Sequence, residues 1–290
     1  MGWDGRGLVS TEWLAGHLGE EELRIFGVTV HLRPATPGPY AIESGRADYE
    51  AGHVPGAAFL DLAGELSDPG AKLPFTMPPA GQLAEALGAA GIGQASRVVL
   101  ATTTTPMWAT RLWWMLRACG FENAAVLDGG FAKWAREGRA IETGTRRYAP
   151  AALSLTARPG YWADKHEVLA AIGDGAVCTI NALQPDIYDG QINRYGRPGH
   201  IPGSHNVYYN SLLDPESGTY LPVEQLKKQF AASGTFNRRT IVYCGGGVSA
   251  ALDAIALTML GHDDIAVYDG SMFEWCMDPA LPLVLGAEPG

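Results

Sequence analysis

The stretch that decides the fold is Thr240-Ile241-Val242-Tyr243-Cys244-Gly245-Gly246-Gly247-Val248-Ser249-Ala250-Ala251-Leu252. Its first four residues are β-branched or aromatic, which predicts a short buried strand. Three glycines follow the cysteine, and residues 249–260 have the apolar spacing of a helix. The sequence therefore predicts a thiol at the end of a strand, in a loop that leads into a helix N-terminus. Such a loop favours an anion, because its backbone N–H groups and the helix dipole both carry partial positive charge.

The composition favours a globular protein of about two domains. The chain has 290 residues, of which 47% are hydrophobic and 18% are charged. A formal net charge of −10 without a basic run argues against nucleic acid and against an anionic membrane surface as partners. The first residues lack the apolar core of a signal peptide, and no run approaches the roughly 18 apolar residues of a membrane span. We therefore expect no membrane partner.

The four cysteines are Cys119, Cys178, Cys244 and Cys276, and they are far apart in the chain. No Cys-x-x-Cys pair and no Cys/His zinc spacing occurs, so we predict neither a metal nor a cofactor. Three of the cysteines are interpreted as small buried hydrophobic residues. This pattern indicates a reducing, cytoplasmic setting.

An internal repeat gives the domain organisation. Gly52-His53-Val54-Pro55-Gly56 recurs as Gly199-His200-Ile201-Pro202-Gly203, and Val126-Leu127-Asp128-Gly129 recurs as Val267-Tyr268-Asp269-Gly270. Strands alternate with helices in both halves, which predicts two tandem α/β domains, each with a mainly parallel sheet flanked by helices. We predict an N-terminal domain over 1–140, a linker over 141–159 and a C-terminal domain over 160–290. Residues 34–45, rich in Pro, Gly and Ala, are predicted to be a loop.

The two copies differ at the thiol. The segment Val98-Val99-Leu100-Ala101 matches Ile241-Val242-Tyr243-Cys244, so this alignment puts alanine in the first copy where the second has cysteine. A free thiol has a pKa of about 8.5, and a helix N-terminus with converging N–H groups lowers that pKa. The same groups stabilise a persulfide, which is also an anion. We therefore predict that Cys244 is a nucleophile that carries sulfur and that the N-terminal copy is non-catalytic.

The chain resembles the rhodanese-type sulfurtransferases. The resemblance lies in two tandem units, each with a Gly-His-[Ile/Val]-Pro-Gly turn and an Asp-Gly near its end, and in a cysteine loop in the second unit. The resemblance covers about residues 8–282. It implies two rhodanese-like domains and sulfur transfer through Cys244. The implied donors are the small anions thiosulfate and 3-mercaptopyruvate, and the implied acceptor is cyanide or a thiol.

The loop departs from both subtypes of the family it resembles. Thiosulfate-preferring members have basic side chains in the loop, and Gly245, Gly246, Gly247, Val248 and Ser249 provide none. Mercaptopyruvate-preferring members resemble Cys-Gly-Ser/Thr-Gly-Val-Thr and add a histidine from the N-terminal domain. Here Gly246 replaces the hydroxyl residue and Thr76 occupies the place of the histidine. The resemblance leaves Arg194 or Arg197, together with Thr76, as the substrate-binding candidates.

Three other functions are compatible with parts of the sequence. Gly245-Gly246-Gly247-Val248-Ser249-Ala250 matches the Gly-x-Gly-x-x-Ala pattern of dinucleotide-binding domains. A Cys-x5-Arg phosphatase would need an arginine at position 250, which is Ala250. A non-catalytic binding or sulfur-carrier module is the third alternative. His53 and His200 occupy equivalent turns in both copies and are interpreted as structural. The sequence does not give an oligomeric state.

Overall fold

The computed structural model describes residue 3, residues 7–35 and residues 40–290. Its chain divides into two units. The N-terminal unit comprises the described residues up to Ala71, Met77–Arg158 and Pro215–Thr219; the C-terminal unit comprises Lys72–Thr76, Pro159–Asp214 and Tyr220–Gly290. Within the described residues, no helix has both the length and the apolar character needed to cross a membrane.

The N-terminal unit contains a parallel five-stranded sheet. Its strands are β1 (Leu8–Val9), β2 (Leu23–Gly27), β5 (Ala58–Phe59), β6 (Arg97–Ala101) and β7 (Ala124–Leu127), in the order β1-β7-β6-β2-β5. The helices are α1 (Thr11–His17), α2 (Arg46–Ala51), α3 (Ala80–Ala89), α4 (Met107–Ala118) and α5 (Gly130–Arg136). The hydroxyl of Ser10 accepts a hydrogen bond from the Trp13 N–H and caps α1. Strands β2, β6 and β7 are almost fully buried, as expected when helices cover a parallel sheet.

Part of the segment predicted as a loop is a strand. Residues Val30–Arg33 (β3) and Ala41–Ser44 (β4) form an antiparallel pair in which Val30 faces Ser44. The loop prediction for residues 34–45 is therefore wrong at Ala41–Ser44, and its residues 36–39 lie outside the described residues. Both strands are largely exposed, so the period-two burial signal that identifies a strand is weak here.

The C-terminal unit contains a second parallel five-stranded sheet. Its strands are β8 (Trp162–Ala163), β9 (Val177–Asn181), β10 (Ser204–Asn206), β11 (Arg239–Tyr243) and β12 (Ile265–Tyr268), in the order β8-β12-β11-β9-β10. The helices are α6 (Lys165–Ala171), α7 (Pro185–Tyr188), α8 (Val223–Phe230), α9 (Ala250–Met259) and α10 (Ser271–Met277). Short 3₁₀ segments cover Tyr209–Leu212, Ala231–Ser233 and Thr235–Asn237.

The strand orders of the two sheets are the same when matched along the chain, with β6 and β11 as the central strands. Their registers correct the sequence alignment by one residue: Ala101 corresponds to Tyr243, and Thr102 corresponds to Cys244. Matching backbone hydrogen bonds in the two copies establish this correspondence. The carbonyl of Ala101 accepts from the Val28 N–H, as that of Tyr243 accepts from the Ala182 N–H. The carbonyl of Thr102 accepts from the Phe131 N–H, as that of Cys244 accepts from the Met272 N–H. The first copy therefore has threonine, not alanine, at the thiol position.

The segment predicted as a linker packs on the N-terminal unit as far as Arg158. Its backbone has almost no regular structure, but its N–H groups are satisfied by loops and helix ends. The Ala151 N–H donates to the carbonyl of Gly88 at 2.9 Å, and the Thr156 N–H donates to that of Cys119 at 3.1 Å. The Tyr148 hydroxyl donates to the carbonyl of Gly56 at 2.6 Å. Residues 141–158 therefore belong to the N-terminal unit and pack on its surface, and the C-terminal unit begins at Pro159.

The two histidine turns have the same construction. His53 stacks on Tyr49 at 4.1 Å and donates from Nδ1 to its carbonyl at 2.7 Å; His200 stacks on Tyr188 at 3.6 Å and donates to its carbonyl at 2.8 Å. Both histidines are buried, and each forms an antiparallel bridge with a later segment. Since only one copy has a cysteine directly after its central strand, the shared geometry supports the structural role predicted for both.

We expect the C-terminal unit to lose stability as the pH falls below about 6.5, the usual pKa of histidine. Burial lowers the pKa of His200, His205 and His262 from that value. Below about pH 6.5 the unfolded chain therefore binds protons at these histidines that the folded unit does not bind. The contribution of the neutral histidines to the free energy of unfolding is complete above about pH 6.5. It is lost as the pH falls through the lower pKa values of the folded unit. Hydrogen exchange of β9 and β11 at pH 7.5 and pH 5.5, corrected for intrinsic exchange rates, measures this change.

The matched variants are His200→Asn and His166→Asn, because His166 is an exposed residue of the same unit. The first should reduce the pH-dependent loss, whatever its effect on stability at pH 7.5, and the second should leave that loss unchanged. An equal loss in all three proteins would contradict a role for the buried histidine.

Candidate active site

The end of β11 is held by the turn Gly199–Gly203. Tyr243 is the last residue of β11 and is fully buried. Its hydroxyl accepts a hydrogen bond from the Ile201 N–H at 3.1 Å and lies 2.7 Å from the Ser204 Oγ. Burial raises the pKa of Tyr243 to about 12, so the hydroxyl stays protonated at neutral pH. The repeated turn therefore fixes the residue next to Cys244.

Cys244 follows β11 directly and begins a six-residue loop that ends at Ser249, before α9 begins at Ala250. The thiol is free, and the residue is only 2% exposed. Because the loop lies at the carboxyl end of the central strand of a parallel sheet, it occupies the edge where such folds place their ligand sites. Only a small reagent could reach a cysteine so deeply buried.

Ser271 holds the loop in place. Its Oγ accepts hydrogen bonds from the N–H groups of Cys244 and Gly247, both at 3.0 Å. The same hydroxyl donates to the carbonyl of Tyr268 at 2.7 Å, so its proton is already used. The serine is fully buried at the start of α10. One side chain thus joins the first and fourth residues of the loop to the end of β12.

The backbone of Ser271 is in the left-handed region, with φ of 48°. The equivalent residue of the first copy is Gly130, with φ of 59°. Left-handed backbone costs a non-glycine residue about 1 kcal/mol or more, and such strain persists where a function requires it. The copy that contains the thiol accepts this cost and gains the hydroxyl that organises the loop.

The three glycines allow close contacts that a side chain would prevent. A Cβ at Gly245 would lie 2.2 Å from the hydroxyl oxygen of Tyr195, and a Cβ at Gly247 would lie 2.7 Å from the carbonyl oxygen of Asp269. Gly247 also has a φ of 70°, which favours glycine. The ring of Tyr195 packs edge-on against that of Phe273 at 5.0 Å. Aromatic side chains therefore cover the loop on one side.

Most backbone N–H groups of the loop have no protein acceptor. Within the part of the chain that the structure describes, no hydrogen bond is donated by the N–H groups of Gly245, Gly246, Val248, Ser249 and Ala250. These groups belong to consecutive residues, apart from Gly247, whose N–H bonds to Ser271. Unpaired N–H groups at a helix N-terminus are suited to bind an anion.

The predicted arginines have different surroundings. Arg197 donates from its guanidinium to the backbone carbonyls of Asp278 and Leu281, at 2.9 and 2.8 Å. Arg194 is exposed. Burial, together with the adjacent Tyr208, raises the pKa of Tyr209 to about 12. Arg194 is the better candidate for an anion, because the guanidinium of Arg197 is already used by two backbone carbonyls.

Within the C-terminal unit, no hydrogen bond joins Thr76 to the loop around Cys244. Its hydroxyl donates to the carbonyl of Leu73 at 2.9 Å. It lines a cavity of about 560 Å³, together with Lys72, Leu73, Lys165, Glu274, Met277, Asp278 and Pro279. Cys244 is not among the residues that line this cavity, so the substrate-binding role predicted for Thr76 has no support from it.

Several site residues could not be singled out from the sequence. Ser271, Tyr195 and Tyr209 lie far from Cys244 in the chain, and no motif connects them to it. The one available signal was the replacement of Gly130 in the first copy by Ser271 in the second, directly after the repeated Asp-Gly. A difference between copies beside a matched motif is where a change of function is expected.

Comparison with known proteins gives the family. The model of the rhodanese-like domain matches residues 10–137 and again residues 167–278. The chain belongs to the rhodanese family. The 3-mercaptopyruvate sulfurtransferase of Escherichia coli K12 is 30% identical over 95% of this chain and 96% of its own length, and the human 3-mercaptopyruvate sulfurtransferase is 30% identical over 94% and 92%.

A solved structure agrees with this assignment. The crystal structure of SseA from Escherichia coli, described as a 3-mercaptopyruvate sulfotransferase, superimposes with a TM-score of 0.79 at 30% identity, covering 91% of this chain and 98% of that one. The rhodanese fold implied by the resemblance is thereby confirmed, and the chain is an enzyme of the sulfurtransferase class. Membership of this family accounts for the glycine loop without a dinucleotide.

We expect Ser271→Ala to lower the free energy of unfolding by about 2 kcal/mol or more, because two buried N–H groups lose their acceptor. Ser271→Gly should cost about 1 kcal/mol less, since glycine removes the left-handed strain. Both variants should also change the rate at which iodoacetamide alkylates Cys244. Urea unfolding and timed alkylation measure these effects.

Ser233→Ala is the matched control, because Ser233 is a buried serine of the same unit that donates to a backbone carbonyl. It should leave the alkylation of Cys244 unchanged. If Ser271→Ala matched this control in both measurements, Ser271 would have no special role in the loop.

Proposed function

We propose that this enzyme transfers a sulfane sulfur from thiosulfate or 3-mercaptopyruvate to a thiol or cyanide acceptor, through a persulfide on Cys244. The observation that carries the proposal is the loop of unpaired N–H groups around a thiol that the first copy lacks. The relatives named as 3-mercaptopyruvate sulfurtransferases, and the Arabidopsis thaliana relative named thiosulfate/3-mercaptopyruvate sulfurtransferase 2, support this choice of donors.

In the first half-reaction the Cys244 thiolate attacks the outer sulfur of the donor. With thiosulfate, the sulfur–sulfur bond breaks and sulfite leaves with the bonding electrons. The product is the persulfide anion, Cys244–S–S⁻. The unpaired N–H groups of the loop and the N-terminus of α9 stabilise negative charge both before and after this step.

In the second half-reaction the acceptor attacks the outer sulfur of the persulfide. A thiolate acceptor leaves as its own persulfide and cyanide leaves as thiocyanate, while Cys244 is released as a thiolate. The enzyme alternates between two covalent states, which predicts ping-pong kinetics. Four free cysteines support a reducing, cytoplasmic setting, where low-molecular-weight thiols are available as acceptors.

Replacement of Cys244 by Ser tests the proposal directly. The serine hydroxyl is a weak nucleophile at neutral pH, so turnover with both donors should be lost while the fold is kept. Cys276→Ser is the matched control, because Cys276 is another buried free cysteine of the same unit. Turnover by Cys244→Ser at the wild-type rate would overturn the proposal.

We expect Arg194→Met to raise the KM for both anionic donors about tenfold, the effect of losing about 1.4 kcal/mol of charge-assisted binding. Arg197→Met should instead lower the unfolding free energy, because its two hydrogen bonds to backbone carbonyls are lost. Steady-state kinetics and urea unfolding of both variants separate the two roles. An unchanged KM in Arg194→Met would exclude Arg194 from donor binding.

A further inference from the structure

Two aromatic side chains lie over the residues that directly follow Cys244. The rings of Tyr195 and Phe273 pack edge-on, with their centroids 5.0 Å apart, which is a favourable arrangement for two aromatic rings. Both residues are half-buried, so the pair separates this part of the loop from solvent. We call Tyr195 and Phe273 the aromatic cover.

The aromatic cover rests on bare backbone. A Cβ at Gly245 would lie 2.2 Å from the hydroxyl oxygen of Tyr195 and within 3.0 Å of its ring atoms Cζ and Cε1. A Cβ at Gly246 would lie 3.1 Å from Cδ2 of Phe273. A side chain at position 245 would therefore clash with the tyrosine. Tyr195 contacts the loop one residue away from the thiol, and the glycine there makes this contact possible.

The two members of the cover are held differently. Phe273 belongs to α10, and its N–H donates to the carbonyl of Gly245 at 2.9 Å, which ties its backbone to the loop. Tyr195 lies in the segment of residues 191–196, in which every other residue is exposed. Arg197 anchors the end of this segment through two hydrogen bonds to backbone carbonyls. Exposed segments open locally at a low cost in free energy, so Tyr195 is the movable member of the cover.

Sulfur acceptors differ in the space that they need at the persulfide. In the second half-reaction the acceptor forms a bond to the outer sulfur, the bond from that sulfur to Cys244 breaks, and its electron pair stays on the Cys244 sulfur. The rate of such an exchange depends on access to the sulfur that is attacked. Cyanide brings two atoms to this sulfur, whereas a thiol also brings the group attached to it. Because Cys244 is only 2% exposed, the size of that group matters.

We propose that Tyr195 is a specificity-determining residue that selects sulfur acceptors by size. Cyanide and compact thiols reach the persulfide past the aromatic cover, and a thiol on a bulky group reacts only when Tyr195 leaves its place on Gly245. The proposal rests on the sulfur-transfer function proposed above and adds the class of acceptor. The ring carries the effect, because the ring makes the contact with Phe273 and its atoms also approach Gly245.

Arg194 and Tyr195 are neighbours in the same exposed segment but have separate tasks. The charge of Arg194 acts on the anionic donor, and the bulk of Tyr195 acts on the acceptor. Arg194→Met should therefore change the KM for the donor and leave the preference among acceptors as it is. Tyr195→Ala should do the reverse.

The first test measures access to Cys244 without turnover. Alkylation of Cys244 by iodoacetamide, which is small, and by fluorescein maleimide, which is bulky, is followed by peptide mapping. We expect Tyr195→Ala to raise the rate with the maleimide about tenfold, which corresponds to removal of about 1.4 kcal/mol of steric cost. The rate with iodoacetamide should change little, because the small reagent already passes the cover.

Two further variants serve as controls in this test. Tyr195→Phe keeps the ring and should behave like the wild type, which separates the bulk of the side chain from its hydroxyl. Phe236→Ala is the matched control, because Phe236 is an aromatic residue of the same unit that is 40% exposed. It should leave both alkylation rates unchanged.

The second test measures acceptor choice during turnover. With the donor that gives the higher rate held at saturation, kcat/KM is measured for cyanide and for glutathione, a thiol on a tripeptide. Tyr195→Ala should raise the ratio of glutathione to cyanide about tenfold, while Tyr195→Phe and Phe236→Ala should keep the wild-type ratio.

The role of Tyr195 would be overturned by equal ratios of the two alkylation rates in the wild type and Tyr195→Ala. Equal changes of kcat/KM with both acceptors would also overturn it, as would a Tyr195→Phe variant that behaves like Tyr195→Ala. A wild type that transfers sulfur to neither acceptor would overturn the function proposed above. The two failures are distinguished, because the alkylation rates do not depend on turnover.

Discussion

The conformation of the loop around Cys244 depends on the hydroxyl of Ser271. This hydroxyl accepts hydrogen bonds from the N–H groups of Cys244 and Gly247 and donates one to the carbonyl of Tyr268. The loop is thereby tied to β12 while most of its other N–H groups stay free for an anion. The cost is a serine in left-handed backbone, at a position where the first copy uses glycine. The thiol and its support therefore occur in the same copy.

The repeat gives two copies of one framework, and the second copy has a cysteine directly after its central strand. Each copy has the same strand order, the same stacked histidine turn and the same Asp-Gly before its last helix. These shared features build the sheet and place the loop at the end of the central strand. Thr102 and Gly130 distinguish the first copy, while Cys244 and Ser271 occupy the equivalent positions of the second. The two copies thus differ around this loop at a few positions of a common framework.

Much of this was predictable from sequence, for physical reasons. A buried parallel strand is a continuous apolar run, so the strand that ends directly before Cys244 could be located from its sequence. The exposed strand Ala41–Ser44 has no such pattern. The one-residue error that matched Ala101 to Cys244 arose because strand register depends on pairing between strands. Ser271 holds the loop through contacts that no local motif specifies.

We expect Cys244 to carry sulfur between donor and acceptor. Mass spectrometry of the intact protein, after treatment with either donor and removal of the excess, tests it most directly. The account predicts that one sulfur atom is added, that peptide mapping places it on Cys244, and that cyanide removes it. No added sulfur with saturating amounts of either donor, or sulfur on another cysteine, would contradict the account.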